Sequence, residues 1–214
     1  MARGRSPGYE DQRELILQRT AELFALRGYS GTSMNEVAQA CGMSKPTIYH
    51  YFRDKYSLLL EISDGHVSRL LAVVQEVQAQ NLSPEPRLRT LISHFVHEYA
   101  HAQHAHRVLT EDVRFLNDDD KEQVLGKERA VVASFSEAVA QIRPDADKAG
   151  LSKALAMLLF GMMNWMFTWL KPDGQLNHET MAPMVADLFM GGIEAVETPI
   201  QTTQKKLACI QLPR

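Results

Sequence analysis

Five of the eight histidines in this 214-residue chain cluster at positions 94, 97, 101, 104 and 106, and His97-Glu98-Tyr99-Ala100-His101 reads H-E-x-x-H. On a helix the two imidazoles of that motif share a face and hold zinc, with the glutamate as general base. The chemistry would be metal-assisted hydrolysis. The surrounding residues argue against it. Leu88, Leu91, Ile92, Phe95, Tyr99 and Ala102 make the apolar stripe of this helix, so His94, His97, His101 and His104 fall on the opposite, solvated side. A third histidine ligand would be expected at position 107, which is Arg107, with a glycine at the position occupied by His104. The reading preferred is therefore a polar face with no catalytic residue, metal ligand or cofactor. A zinc metallohydrolase acting through His97, Glu98 and His101 is the alternative of another class, and incidental metal binding by the pair is a lesser one.

A second constellation lies in Lys45-Pro46-Thr47-Ile48-Tyr49-His50-Tyr51-Phe52. Ile48 and Phe52, four apart on a helix, point to a core. Thr47, His50 and Tyr51 then project roughly opposite, flanked by Lys45 and Tyr49. A polar, partly aromatic face of that kind suits base edges and phosphates in a DNA major groove. Lys55 would add a phosphate contact or a helix N-terminus contact, and the arm bearing Arg3 and Arg5 could enter an adjacent minor groove. The net charge of −3 looks wrong for such a partner until it is divided. Residues 1–56 hold eight Lys/Arg against six acids, and the remainder holds 15 against 20. A basic head on an acidic body follows.

These side chains need short, well-terminated helices. Ser33 followed by Glu36 is a capping box that opens a helix near Met34, and Gly42 permits the sharp turn after Cys41. Ser44 caps the next helix, where Pro46 is tolerated in the first turn. Upstream, Leu15, Ile16, Ala21, Leu23, Phe24 and Leu26 set a helix from about 10 to 27, closed by Gly28. Downstream, a long helix spans about 54–80, and Pro84 and Pro86 break the pattern. Further helices are expected at about 85–103, 107–117, 119–142, 147–170 and 179–196. The fold expected is all-α, with about nine helices. Its domains are a flexible arm over 1–8, a DNA-binding head over 9–55, a ligand-binding and dimerisation body over 56–198 and a disordered tail over 199–214. At 45% hydrophobic and 23% charged the composition suits a soluble core. No apolar run reaches the ~18–20 residues of a membrane span, and no secretion signal is visible, so a cytoplasmic address is expected.

The stretch GYSGTSMNEVAQACGMSKPTIYHYFRDKYSLL resembles the signature of the tetracycline-repressor family almost position by position. The match includes Ala-x-x-x-Gly-Met-Ser, the Ile-Tyr-x-x-Phe block and the following Asp-Lys. The resemblance implies a homodimeric transcription regulator, most simply a repressor, whose two third helices occupy successive major grooves of operator DNA. It implies DNA contacts at Ser33, Met34, Lys45, Pro46, Thr47, Tyr49, His50, Tyr51 and Lys55. Met34 departs from the polar residue usual at its position. An activator or corepressor-dependent regulator of the same fold is the alternative within the family.

The C-terminal half is read on its own residues. The segment from Ala154 to Leu170 is apolar all round, so its helix is buried on more than one side. Leu158, Met162, Trp165 and Trp169 form one stripe, which together with Phe115 and Phe135 is expected to line a site for a small hydrophobic effector. Met184, Leu188, Phe189 and Gly192 are expected at the dimer interface, in a four-helix bundle of two copies of the last two helices. The passage Asn164–Leu176 looks like one found in repressors of acyl-CoA catabolism. That resemblance implies an acyl-CoA effector. The acidic body argues against a home for its phosphates, although a local cluster such as Arg107, Arg114 and Lys127 could serve.

Overall fold

A computed structural model describes residues 8–170 and 176–198. Arg3, Arg5 and the expected tail over 199–214 lie outside the described residues. Among those described, the chain is all helical, with ten α-helices, one 3-10 turn and no strand. The one helix beyond the nine expected is a short one at Pro144, whose fixed φ and missing N–H start a helix of its own instead of joining the one that follows.

The helices sort into two compact units that are not simple halves of the sequence. The first takes residues through Arg69 and recovers residues 102–128. It holds α1 (Tyr9–Gly31), α2 (Met34–Ala40), α3 (Lys45–Tyr51), the start of α4 (Lys55–Ala79), α6 (Gln103–Asp112), the 3-10 turn (Val113–Phe115) and the start of α7 (Asp118–Ile142). Ile16, Phe24, Val37, Ile48, Leu58, Leu59, Val108 and Val124 build its core. In α1 the four-residue steps Ile16, Thr20 and Phe24 place one stripe inward, and buried Thr20 donates its hydroxyl to the Ile16 carbonyl at 2.7 Å. Gly28 breaks the helix at φ +76°, ψ 159°, a region open essentially to glycine alone.

The second unit comprises residues 70–101 and those from 129 onward. It holds the remainder of α4 and α7 with α5 (Pro84–His101), α8 (Pro144–Lys148), α9 (Ser152–Trp169) and α10 (His178–Ala195). Its core centres on an aromatic cluster, with Phe135 at 4.8 Å from Phe95 and 4.7 Å from Phe160 between ring centroids. Leu155, Leu159, Met163 and Met166 of α9 and Val185, Phe189 and Ile193 of α10 face the same interior. A salt bridge between Arg89 and Asp187 at 2.6 Å joins α5 to α10.

The break between α5 and α6 divides the histidine row, leaving His101 exposed and turning His106 inward. In the first unit His66 of α4 and His106 of α6 are buried and their rings meet, Nε2 to Nδ1, at 3.1 Å. Burial, then the nearby His106 and Arg69, pulls the His66 imidazole down to about 3. The folded chain therefore binds fewer protons at this site than the unfolded one, and its contribution to stability is lost as pH falls below about 6.5. Urea unfolding should show stability dropping by about 1 kcal/mol from this site between pH 7 and pH 5.5. That component should be missing in a His66→Phe variant, and an equal pH dependence in the variant would place the proton uptake elsewhere.

Candidate nucleic-acid interface

The capping chemistry read from the sequence is present. Ser33 Oγ accepts the Glu36 N–H, and the Glu36 carboxylate accepts the Ser33 N–H at 2.8 Å, closing the capping box of α2. Gly42 turns the chain at φ +64°, and Met43 N–H closes back to the Ala38 carbonyl at 2.9 Å. Ser44 accepts the Thr47 N–H at 3.2 Å to start α3. Seven residues are too few for a helix that stands alone. Ile48 is wholly buried and Phe52 nearly so, and these two plugs fix the rotation of α3.

That rotation leaves Lys45, Pro46, Thr47, Tyr49 and His50 exposed together. Tyr49 keeps 45% of its surface, and the Lys45 ammonium sits 6.0 Å from the centre of its ring. Ser33 is also exposed at the head of α2. Thr47 Oγ1 lies 2.7 Å from Ser44 Oγ, so its hydroxyl starts from a local partner.

Three expected contacts sit differently. Met34 is buried in the first core, as an apolar side chain beside Val37 and Ile48 should be, and cannot reach a groove. Tyr51 is half-buried, its ring against Tyr9 at 4.7 Å and its hydroxyl donating to the Gln12 side chain, so it fastens α3 to α1. Lys55 points inward, donating to the carbonyls of Tyr29 and Thr32, both at 2.7 Å, with its ammonium 4.3 Å from the Tyr29 ring centre. The carbonyls that end α1 are a local cation site, which a one-dimensional reading does not display.

Sequence patterning missed the other half of that arrangement. Asp112, buried at the end of α6, accepts the Tyr29 N–H at 3.1 Å. Burial raises its pKa and the Tyr29 N–H lowers it. Nothing local marks it: Asp112 stands beside Glu111 and Arg114 like any surface acid, and its partner is 83 residues away.

Of the residues expected to line an effector site, those of the second unit do not share one face. Phe115 belongs to the first unit and packs on Tyr29 at 5.3 Å. Phe135 is fully buried in the aromatic core of the second. Met162 is half-buried, whereas Leu158 and Trp165 are each 67% exposed and Trp169 is also exposed. Of the residues expected at the dimer interface, Met184, Leu188 and Gly192 are exposed, but Phe189 points into its own core. Within the proposed cationic cluster, Arg107 pairs with Glu111 at 2.9 Å and Lys127 with Asp64 at 2.6 Å.

Residues 16–62 match the family model described as bacterial regulatory proteins, tetR family, and residues 81–193 match the tetracyclin repressor-like C-terminal domain. A solved TetR-family transcriptional regulator from Bordetella parapertussis 12822 is 34% identical, with TM-score 0.81 over 89% of this chain and 100% of that one. AibR, solved in complex with isovaleryl coenzyme A and operator DNA, is 28% identical, with TM-score 0.70 over 83% of this chain and 97% of its own. The transcriptional activator FasR of Mycolicibacterium smegmatis is 25% identical over 198 residues, 91% of this chain and 88% of FasR. These are regulators, which sets aside the metallohydrolase alternative.

Exposed side chains on α3 give a direct test. Tyr49→Ala and Lys45→Ala should each weaken binding to the cognate operator by at least tenfold, about 1.4 kcal/mol, in a gel-shift assay at fixed salt. Both variants should keep the wild-type melting temperature within a few degrees. Undiminished operator affinity in both would remove this face from the interface.

Proposed function

Since the chain belongs to the tetracycline-repressor family of bacterial regulatory proteins, we propose that it is a homodimeric repressor that leaves its operator when an acyl-CoA thioester binds its second unit. The observation that carries the DNA-binding part is the exposed group Lys45, Pro46, Thr47, Tyr49 and His50 on a helix whose other side is locked by Ile48 and Phe52. Ser33 adds a hydroxyl at the head of α2. A two-fold pair of such helices, about one DNA turn apart, would read two half-sites.

The second copy is expected on the outer face of α9 and α10. Met157, Leu158 and Trp165 on α9 and Met184 and Leu188 on α10 are all more than half exposed. Beside them, among the described residues, no side chain or other helix comes within 4 Å of where a Cβ would stand on Gly161, Gly191 or Gly192. Such an apolar patch with room for close helix approach suits an identical face better than solvent. Trp165 and Leu158 are accordingly reassigned from effector site to interface, and Phe189 from interface to core. Leu188→Arg should shift sedimentation velocity from dimer to monomer and weaken operator binding more than tenfold. A dimeric Leu188→Arg variant would refute this face.

The effector class is supported by AibR, whose complex contains isovaleryl coenzyme A. Ligand in the second unit shifts the spacing of the α3 pair only to the extent that it binds one arrangement better. Isovaleryl-CoA and longer acyl-CoA thioesters should raise the melting temperature and release operator DNA in the same concentration range, while free coenzyme A does neither. A thioester panel that leaves both readings unmoved would exclude the class. A second reading, activation, is favoured by the likeness to FasR. In vitro transcription from the bound promoter separates the two: repression lowers the transcript, activation raises it.

A further inference from the structure

We infer that His97, His101 and His178 form a binding site for a divalent transition-metal ion of the zinc, copper and nickel class, which joins the last turn of α5 to the first turn of α10. The nucleus of the site is already assembled. His97 Nε2 and His101 Nε2 stand 3.0 Å apart, with ring centroids at 4.3 Å and planes at 82°. An ion bound at about 2.0–2.1 Å from two imidazole nitrogens holds them roughly 3 Å apart, so this pair needs little rearrangement to chelate. Both residues are exposed, and an ion reaches them without opening the fold.

The third ligand comes from the antiparallel packing of α5 and α10 in the second unit. The Arg89–Asp187 salt bridge fixes their register. From it, His97 lies eight residues along α5 and His178 nine residues back along α10, about 12 and 13.5 Å at 1.5 Å per residue. The two histidines are therefore level. Burial, and then the charges of His101 and His97, hold the His178 imidazole below its ordinary range. Among the described residues no group of three or more His, Cys, Asp or Glu side chains is placed, as it stands, to hold a metal ion. His178 thus enters the coordination sphere by turning its side chain, and water completes it. All-imidazole ligation selects zinc, copper and nickel over magnesium and calcium.

The site is independent of the DNA-binding reading and is tested on the full, tag-free chain. Titration calorimetry with zinc chloride should give one ion per chain, with copper and nickel binding at the same place and magnesium not at all. His97→Ala combined with His101→Ala should weaken zinc binding by more than about tenfold. His178→Ala should weaken it less and should abolish most of the zinc-induced rise in melting temperature, since the ion no longer spans two helices. His104→Ala, with its histidine on α6, should behave as wild type, and circular dichroism should be the same for all variants. Failure of zinc, copper and nickel alike to bind overturns the site, as does unchanged zinc affinity in the double variant. Wild-type affinity and wild-type thermal response in His178→Ala would remove the link between α5 and α10.

Discussion

Everything the DNA-facing helices present depends on how one peptide corner is held. Tyr29 follows the break at Gly28, and its backbone is gripped from both ends: its N–H by the Asp112 carboxylate, its carbonyl by the Lys55 ammonium. Lys55 also takes the Thr32 carbonyl, and the Tyr29 ring packs against Phe24 and Phe115. Opposite charges are thus applied across the corner through peptide dipoles, without meeting as an ion pair. Hydrogen bonds to charged groups are worth about 1.5–3 kcal/mol each. Three of them, partly shielded from water, fix where α1 stops and how the chain enters α2.

That constraint matters because α2 and α3 have seven residues each and borrow their order from their surroundings. Caps at Ser33 and Ser44 set their starts, and Ile48 and Phe52 set the rotation of the second. The outer side then follows by elimination. α9 and α10 obey a different logic. Each has two apolar sides, and the interior of a single subunit uses one. Leu159, Met163, Val185 and Phe189 are taken by the aromatic core, and Leu158, Trp165, Met184 and Leu188 are left outside.

Much of this was legible before any coordinates. Helix boundaries fell within a few residues wherever a cap, glycine or proline marked them, because those residues act on the backbone locally. The capping box at Ser33 and the inward pair Ile48 and Phe52 belong to that class. Three kinds of information were not local. Lys55 looks like a phosphate ligand until the carbonyls of Tyr29 and Thr32 are brought beside it by folding. Met34 and Tyr51 sit at positions where periodicity alone does not tell groove from core. In α9, where every side is apolar, periodicity gives no phase at all, so Trp165 and Met163 could not be sorted into outside and inside. The histidine row keeps its outward face at His97, His101 and His104, and only His106 is turned in. The helices expected over about 85–103 and 107–117 meet earlier than that: the chain ends one helix at His101 and begins the next at Gln103, which places His106 inside α6 and turns it inward.

The open ground beside Gly161, Gly191 and Gly192 has a consequence for how this protein reads its own mutations. Among the described residues, alanine in place of any one of them would meet no side chain or neighbouring helix within 4 Å, and would stiffen its own helix by up to about 1 kcal/mol. A lone chain would therefore be sturdier with methyl groups there. Each glycine is a small forfeit of self-sufficiency, and a survey of folding strength alone would score its loss as an improvement while the surface it keeps flat went unnoticed.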